Sequence, residues 1–222
     1  GVRFYDRVEV RTVLNYLRVI IQPENDDALS SILNTPSRKI GDATVKKLME
    51  EAHEHNLSLW SFISRVVQGK QISNGNISKQ VKHGLTCIHN IIMTAKDKLL
   101  DPAQPISLTN LLKYILQKTK MEEWLETHYN DTDKSRWSNI EELIVQVTEF
   151  QDHIDDSCYD EALPEIDGVQ QKGQKNILAN FLANVALASE SKNDKGNQIK
   201  QITISTIHAA KGLEWPVVFI PA

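Results

Sequence analysis

Apolar side chains recur every three or four residues along most of the chain, which is the period of an amphipathic helix. The first such run predicts a helix over residues 7–21, which Pro23 and the polar residues after it bring to an end. A short helix over residues 27–33 and a turn-rich stretch over residues 34–42 follow. Asp42 is suited to cap the next helix, because its carboxylate can accept hydrogen bonds from free backbone N–H groups.

The same period predicts further helices over residues 59–67, 78–100, 108–117 and 121–128. Ser138 and Glu141 have the spacing of a capping box, so we expect another helix to begin at Ser138 and to run through Ile154. Residues 155–175 are acidic, weakly periodic and interrupted by Pro164, which predicts a surface loop. A last helix is expected around residues 177–185, before a polar linker at residues 189–198.

The pattern changes near the end of the chain. The run QITISTI at residues 201–207 and the run VVFI at residues 217–220 are rich in β-branched side chains and predict two short strands. The sequence therefore predicts a mainly α protein, in which a helical domain is inserted between a first helix and a final strand pair.

Length and composition fit one large domain or two small ones in a soluble globular protein. The two cysteines, Cys87 and Cys158, are far apart and indicate neither a disulfide scaffold nor a metal site. No apolar run approaches the ~20 residues that a membrane span needs. Because the chain lacks an initiator Met and ends on an apolar run, we expect it to be a piece of a longer protein.

The formal net charge of -4 argues against a chain that binds nucleic acid over its whole surface, so any such contact must come from local patches. One basic cluster consists of Arg38, Lys39, Lys46 and Lys47. Residues 137–171 instead hold ten acidic residues and no Lys or Arg. The acidic segment at residues 141–167 is unlike a DNA-facing surface and could meet a basic protein partner.

The most specific segment is ITISTIHAAKGLEWPVVFIPA at residues 202–222. It places Thr206, His208, Lys211 and Glu214 on a loop between two apolar strands, where a rigid sheet can present polar groups to a ligand. Gly212 permits a backbone turn that other residues resist. From composition alone, a capped strand with solvated polar residues is the favoured interpretation.

This segment resembles motif V of the UvrD/PcrA/Rep-type superfamily 1 DNA helicases, with Trp215 where the family more often has Phe. The resemblance implies that Thr206, His208 and Lys211 contact single-stranded DNA. It implies that Glu214 accepts a hydrogen bond from the ribose of ATP, and that Gly212 helps to couple the two ligands.

The opening segment resembles the family's motif IVa, with Thr12 where an acid is usual. Arg7 and Glu9 could pair with each other or with the motif V loop. The alternative is that they form structural ion pairs on a helix face.

The segment NTPSRKIGD at residues 34–42 resembles the family's N-x-P-x-R-G-I-G turn, with Lys39 in place of the first glycine. A tight turn before a helix points backbone N–H groups outward, and these bind phosphate without reading sequence. The alternative is an ordinary helix–turn–helix surface with a solvated charge cluster. The resemblance implies duplex contacts by Arg38, Lys39, Ile40, Gly41, Lys46 and Lys47.

Fainter likeness in WSNIEELIVQVTEF and NILANFLANVAL extends the resemblance over nearly the whole chain. It implies that residues 1–23 and 198–222 belong to a second RecA-like core, and that residues 24–197 form a helical 2B-type insertion. The longer protein is then an ATP-dependent 3′-to-5′ DNA helicase that uses ATP and magnesium. This chain has no phosphate loop and no acidic pair for magnesium, so we expect it neither to hydrolyse ATP nor to hold it stably.

The remaining histidines and tryptophans show no metal-ligand or base-stacking pattern, so we expect no metal site and assign them to surface or core. Loops rich in Asn, Ile, Lys and Ser favour a fungal source. The chain would then resemble the family's anti-recombinase helicases, which are nuclear proteins of DNA repair and recombination. From a bacterial source it would be cytoplasmic. A regulatory protein-interaction module that binds little DNA is the alternative function.

Overall fold

The computed structural model describes residues 3–71, 73, 77–130, 134–157, 173–190 and 218–219. This part of the chain contains nine α-helices after a short 3-10 helix, Phe4–Asp6, and the prediction of a mainly α fold is confirmed. The predicted strands lie outside the described residues, apart from 218 and 219, which belong to no regular element. The helices are α1 (Val8–Ile21), α2 (Asp26–Ile32), α3 (Asp42–Glu54), α4 (Leu59–Val67), α5 (Lys79–Leu99), α6 (Leu108–Thr119), α7 (Met121–Tyr129), α8 (Ser135–Ser157) and α9 (Gln174–Glu190).

Helix α1 forms the centre of the core. Val10, Val13, Tyr16 and Val19 are fully buried along it. Helices α2, α5, α8 and α9 all pack against α1, and α6 packs against α5, α8 and α9. The helix that we assigned to residues 1–23 therefore shares its core with helices of the predicted insertion, while the domain boundaries at residues 23 and 198 stay a prediction.

Four of the helices described here begin at a residue whose side chain caps them. Asn25, Ser58, Ser78 and Ser107 each accept a hydrogen bond from a backbone N–H in the first turn of the following helix. Asp42 does not, because the N-cap residue of α3 is Gly41, which has no side chain that could accept such a hydrogen bond. The prediction that Asp42 caps α3 is wrong. The Asp42 carboxylate lies in the first turn of α3, where its negative charge interacts favourably with the helix dipole.

Helix α8 begins three residues before the predicted capping box. The backbone N–H of Ser138 donates to the carbonyl of Lys134 at 2.9 Å, so Ser138 is already inside the helix. The predicted start at Ser138 is wrong, and so are both ends of the loop predicted over residues 155–175, because α8 continues to Ser157 and α9 already begins at Gln174. Residues 158–172 of that predicted loop lie outside the described residues. The early start brings Arg136 into the helix, where it pairs with a residue of α1.

The tryptophans that the described residues include pack against the core, as predicted. Trp60, Trp124 and Trp137 are all partly buried there. Trp60 stacks on His89, with ring centroids 4.8 Å apart, and Trp124 stacks on His128 in the same way. None of the helices in the described part of the chain is long and apolar enough to cross a membrane.

His89 predicts a pH dependence of stability. It is 8% exposed, and its Nε2 lies 3.1 Å from the Ser64 hydroxyl. Burial lowers the pKa of His89 below its ordinary value of 6.5, and the neighbouring Asn90 side chain opposes this effect only in part. The unfolded chain therefore binds a proton more readily than the folded chain, so stability is complete above about pH 6.5 and falls as the pH drops toward the lowered pKa.

Urea denaturation at a series of pH values checks this expectation. His89→Gln keeps a polar group near Ser64 but does not titrate in this range. The difference in unfolding free energy between the two proteins should shrink as the pH falls below 6.5. A difference that stays constant with pH would contradict the expectation.

Candidate nucleic-acid interface

The turn at residues 34–41 connects α2 to α3 and is closed by the side chain of Asn34. Its Oδ1 atom accepts hydrogen bonds from the backbone N–H of Arg38 at 2.7 Å and from that of Ile40 at 3.1 Å. Asn side chains commonly stabilise turns by such bonds to backbone groups further along the chain. The shape of the turn is thus fixed from within.

The guanidinium of Arg38 is directed into the turn. Its Nη1 donates to the carbonyls of Ile32 at 2.9 Å and Pro36 at 3.2 Å, and its Nη2 donates to the Tyr16 hydroxyl at 2.5 Å. That hydroxyl in turn donates to the Thr35 carbonyl at 2.7 Å. Burial raises the pKa of the Tyr16 phenol, although Arg38 opposes this effect, so the phenol stays a neutral donor.

These contacts change the interpretation of two predicted duplex-binding residues. Arg38 uses its guanidinium to hold the turn against Tyr16 in α1, and the side chain of Ile40 is fully buried. Both residues therefore shape the turn, with Arg38 half-buried and Ile40 fully buried, and their contacts with duplex DNA stay a prediction. Lys39 is exposed between them with a φ of 63°, a left-handed conformation that glycine adopts more readily than lysine.

Helix α5 packs closely against the turn at Gly84. A Cβ atom built on Gly84 would lie 2.4 Å from the backbone oxygen of Arg38 and 3.3 Å from the Ile40 side chain. No real side chain could occupy that position without a shift of the backbone. Gly84 therefore allows α5 and the turn to approach closely.

The first turns of α3 carry the other predicted cations. Lys46 and Lys47 are both exposed, and Lys46 lies 4.0 Å from Glu50 in an ion pair that is largely in solvent and so contributes little. Gly41 is exposed, with open space where a Cβ would stand. Four of the predicted residues are thus accessible to phosphate, namely Lys39, Gly41, Lys46 and Lys47. Asp42 is the acidic residue within the same stretch of sequence.

Glu9 and Arg7 do not pair with each other. Glu9 is 3% exposed, and its carboxylate accepts from Arg136 Nη1 at 2.7 Å and from Asn139 Nδ2 at 2.6 Å. Arg7 donates to Oδ1 of the same Asn139. The four side chains join α1 to α8, which agrees with the structural alternative for Arg7 and Glu9. Thr12 is buried, and its hydroxyl donates to the Val8 carbonyl at 2.8 Å.

The predicted motif V residues lie outside the described residues. These are Thr206, His208, Lys211, Gly212 and Glu214. Their roles toward single-stranded DNA and ATP stay predictions. Among the residues that the structure describes, no group of three or more His, Cys, Asp or Glu side chains could hold a metal ion.

Sequence reasoning missed the residues that build the turn and the α1–α8 junction. Asn34 opens the turn and carries a recognisable signal, since Asn often bonds to the backbone two or more residues later. Gly84 is an isolated glycine in a helical pattern, which can indicate close packing. Tyr16 and Arg136 carry no local signal, because their partners lie 22 and 127 residues away in the sequence.

The whole chain is similar to known proteins of one family. The model of the UvrD-like helicase C-terminal domain matches residues 1–222. The chain is 31% identical to the ATP-dependent DNA helicase srs2 of Schizosaccharomyces pombe, and this similarity covers 99% of the chain and 23% of the relative. It is 28% identical to the ATP-dependent DNA helicase PcrA of Bacillus subtilis, over 99% of the chain and 26% of the relative. The chain thus spans about a quarter of the length of these curated relatives.

Proposed function

Because the chain belongs to the family of UvrD-like helicase C-terminal domains, we propose that it forms part of an ATP-dependent 3′-to-5′ DNA helicase and contacts duplex DNA. The observation that carries the duplex contact is the internally braced turn at residues 34–41, which leaves Lys39 and Gly41 exposed ahead of α3. A rigid turn needs no further ordering when it binds, so less free energy is lost on association.

The proposed contact is with phosphates and not with bases. Lys39, Lys46 and Lys47 supply cations, and the first N–H groups of α3 supply donors beside Gly41. Such contacts position a protein on a duplex of any sequence, as a helicase requires. Arg38 and Ile40 contribute by holding this surface in shape.

Salt dependence tests the proposal. Each neutralised phosphate contributes roughly 0.9 to the slope of log affinity against log salt. Replacing Lys39, Lys46 and Lys47 together with Ala should flatten that slope by about two to three units and weaken duplex binding at low salt. Binding can be followed by fluorescence anisotropy of a labelled duplex.

The matched control replaces Lys98, Lys113 and Lys118 together with Ala, which removes three exposed lysines from α5 and α6. It should leave the slope within the error of the unaltered chain. A triple variant that binds duplex with unchanged affinity and slope would overturn the proposed duplex contact.

We propose a second set of contacts for the motif V loop. Thr206, His208 and Lys211 would contact the backbone of single-stranded DNA, Glu214 would accept a hydrogen bond from the ATP ribose, and Gly212 would let the loop turn between them. The support is the family match, which includes this loop, and the ATP-dependent helicases among the relatives. ATP and magnesium would be held largely by parts of the longer protein that supply a phosphate loop.

ATP turnover by the purified chain is expected to be absent. The sequence contains no G-x-x-x-x-G-K-[ST] loop, so nothing in it can cradle the β- and γ-phosphates. Phosphate release in the presence of single-stranded DNA and magnesium should match that of a Glu214→Ala variant prepared in the same way. Turnover above that control would contradict the expectation.

A second candidate function, regulation through a protein partner, is favoured by one face of α8. Glu141, Glu142, Glu149 and Asp152 are all exposed there, and Val145 between them is 50% exposed. This acidic helix face would suit a basic partner better than DNA. Under this alternative, the triple lysine variant would leave duplex affinity unchanged. We also propose, as part of the helicase function and not of this alternative, a role in recombination control and DNA repair, in the nucleus if the source is eukaryotic.

A further inference from the structure

A groove opens between the C-terminal halves of α8 and α9, beside η1, the short 3-10 helix at Phe4–Asp6. Its cavity volume is about 430 Å³, which is within the range of ligand pockets, about 300–1,000 Å³. Its base is apolar, because Phe181 and Val185 are buried there and the rings of Phe150 and Phe181 meet edge to face with centroids 5.4 Å apart. Tyr5 of η1 also lines the groove.

The α8 wall of the groove is negatively charged. Glu149 lines it and is exposed. Glu142 lies two helical turns before Glu149 on the same side of α8, and it accepts a hydrogen bond from Gln146 Nε2 at 3.1 Å. The hydroxyl of Tyr5 donates to Oε1 of the same Gln146 at 2.6 Å. Burial raises the pKa of the Tyr5 phenol, and the Glu142 carboxylate raises it further, so this charge lies close to the groove. Among the residues that the structure describes, the ion pairs include neither Glu142 nor Glu149.

The α9 wall of the groove carries no charge. Residues 176–189 contain no Asp, Glu, Lys, Arg or His. Asn184 lines the groove, and Leu187, three residues later, is its neighbour on the helix surface and is 63% exposed. Solvent-facing helix surfaces are usually rich in charged and polar side chains. An exposed leucine on an uncharged wall beside an apolar groove is instead typical of a surface that contacts another protein.

We propose that this groove binds a basic amphipathic helix of a partner protein. The apolar side chains of that helix would enter the groove over Phe150 and Phe181, and its Lys or Arg side chains would pair with Glu142 and Glu149. The inference rests on the second candidate function, regulation through a protein partner, and names the binding site and the chemistry of that partner. Helices occupy apolar grooves through side chains three, four or seven residues apart. Because Glu142 and Glu149 are also seven residues apart, cations at this spacing on a helix aligned with α8 would reach both.

The apolar base and the acidic wall together select among ligands. The carboxylates repel DNA and acidic peptides. A segment of lysines without apolar side chains would pair with the carboxylates but leave the aromatic base of the groove uncovered. Protein interfaces combine an apolar centre, rich in aromatic side chains, with a polar rim, and the groove has both parts. A helix with one apolar and one basic face therefore matches the groove best.

The test uses the complete 222-residue chain and two labelled peptides of leucine and lysine, each about four helical turns long. In one peptide the leucines fall on one helix face and the lysines on the other. The second peptide has the same composition in an order that forms neither face. Binding is followed by fluorescence anisotropy at ~0.15 M salt, which screens charges more than about 8 Å apart. The amphipathic peptide should bind at least about tenfold more tightly than the reordered one.

Two matched pairs of substitutions test the acidic wall. Glu142→Gln with Glu149→Gln should weaken binding of the amphipathic peptide by about fivefold or more, since each accessible ion pair contributes up to about fivefold. Glu141→Gln with Asp152→Asn removes the same charge from the same helix. These two residues share the side of α8 that carries Thr148, whose hydroxyl contacts α6. The control pair should weaken binding by less than about twofold, because its charges lie away from the groove.

A bulky side chain tests the groove itself. Asn184→Trp introduces an indole at an exposed position that lines the groove, so it should fill the cavity and weaken the peptide by at least about tenfold. Ala186→Trp places the same side chain two residues later, on another side of α9 that is also exposed, and should leave affinity unchanged. Circular dichroism during heating checks that both variants fold like the unaltered chain. If Asn184→Trp does not fold, the paired glutamine variants still decide the question.

The outcomes separate the inference from the second candidate function. If the two acidic pairs weaken binding equally and Asn184→Trp has no effect, the whole acidic face of α8 attracts cations, so the inference is overturned while the second candidate stands. If the chain binds neither peptide, both fail. Equal affinity for the two peptides overturns the inference, because the groove then recognises no helix face. Sedimentation that shows a dimer of the unaltered chain and a monomer of Asn184→Trp also overturns it, because a second copy then occupies the groove.

Discussion

Replacing Gly84 with Ala is expected to destabilise the chain by about 1–2 kcal/mol and to weaken duplex binding. In most helices the same change stabilises by about 1 kcal/mol, because glycine is a poor helix former. Here the added Cβ would stand 2.4 Å from the backbone oxygen of Arg38. Overpacking typically costs about 1–3 kcal/mol, and a rigid backbone carbonyl can relieve it only if the turn moves. Because Lys39 and Gly41 are part of that turn, their phosphate contacts should suffer as well.

Two alanine variants separate this clash from helix propensity. Thr94 is exposed on the same helix, so Thr94→Ala should stabilise slightly. Gly41 has open space around its missing Cβ and an ordinary φ of -67°, so Gly41→Ala should change stability by less than about 1 kcal/mol. Urea denaturation gives the stabilities. A Gly84→Ala protein as stable as the Thr94→Ala protein would show that the turn can move freely away from α5.

The helices were predictable from the sequence because their signal is local. The apolar period and the serine caps give the start of α4, α5 and α6 from a few neighbouring residues. The starts of α3 and α8 were not predicted correctly, and each has its own reason. For α3, Gly41 has the extended conformation of an N-cap residue, so the helix begins at Asp42, one residue earlier than a cap at Asp42 would give. For α8, the side chain of Arg136 is fixed by Glu9 on α1.

The candidate interface also combines features that the sequence predicts with features that it does not predict. Exposure of Lys39, Lys46 and Lys47 follows from a polar turn and an amphipathic helix, so it could be expected from the sequence. The inward direction of Arg38 could not, because it depends on Tyr16 and on three backbone carbonyls that the fold brings together. A basic residue in a turn thus predicts a charge near the surface, but not whether that charge faces DNA or the protein.

The junction between α1 and α8 should be sensitive to the loss of its ion pair, because Glu9 is buried there. Arg136→Met keeps an apolar side chain of similar length against Tyr129, whose ring centroid lies 4.0 Å from the Arg136 guanidinium carbon. It leaves the carboxylate of Glu9 buried without its ion-pair partner. Removing one partner of a buried pair is strongly destabilising, and we expect a loss on the order of 3 kcal/mol here. Thermal or urea denaturation measures it.

Glu9→Gln in the Arg136→Met background distinguishes a stranded charge from lost packing. The amide of Gln can still accept from Asn139 Nδ2, but it carries no charge that must be desolvated. If the loss comes from the stranded carboxylate, the double variant should recover at least half of it. Lys134→Met removes an exposed partner of Glu122 and Glu126 just before the same helix, and it should have a much smaller effect. Equal losses in Lys134→Met and Arg136→Met, or a double variant no more stable than Arg136→Met, would mean that the stranded carboxylate of Glu9 is not the cause of the loss.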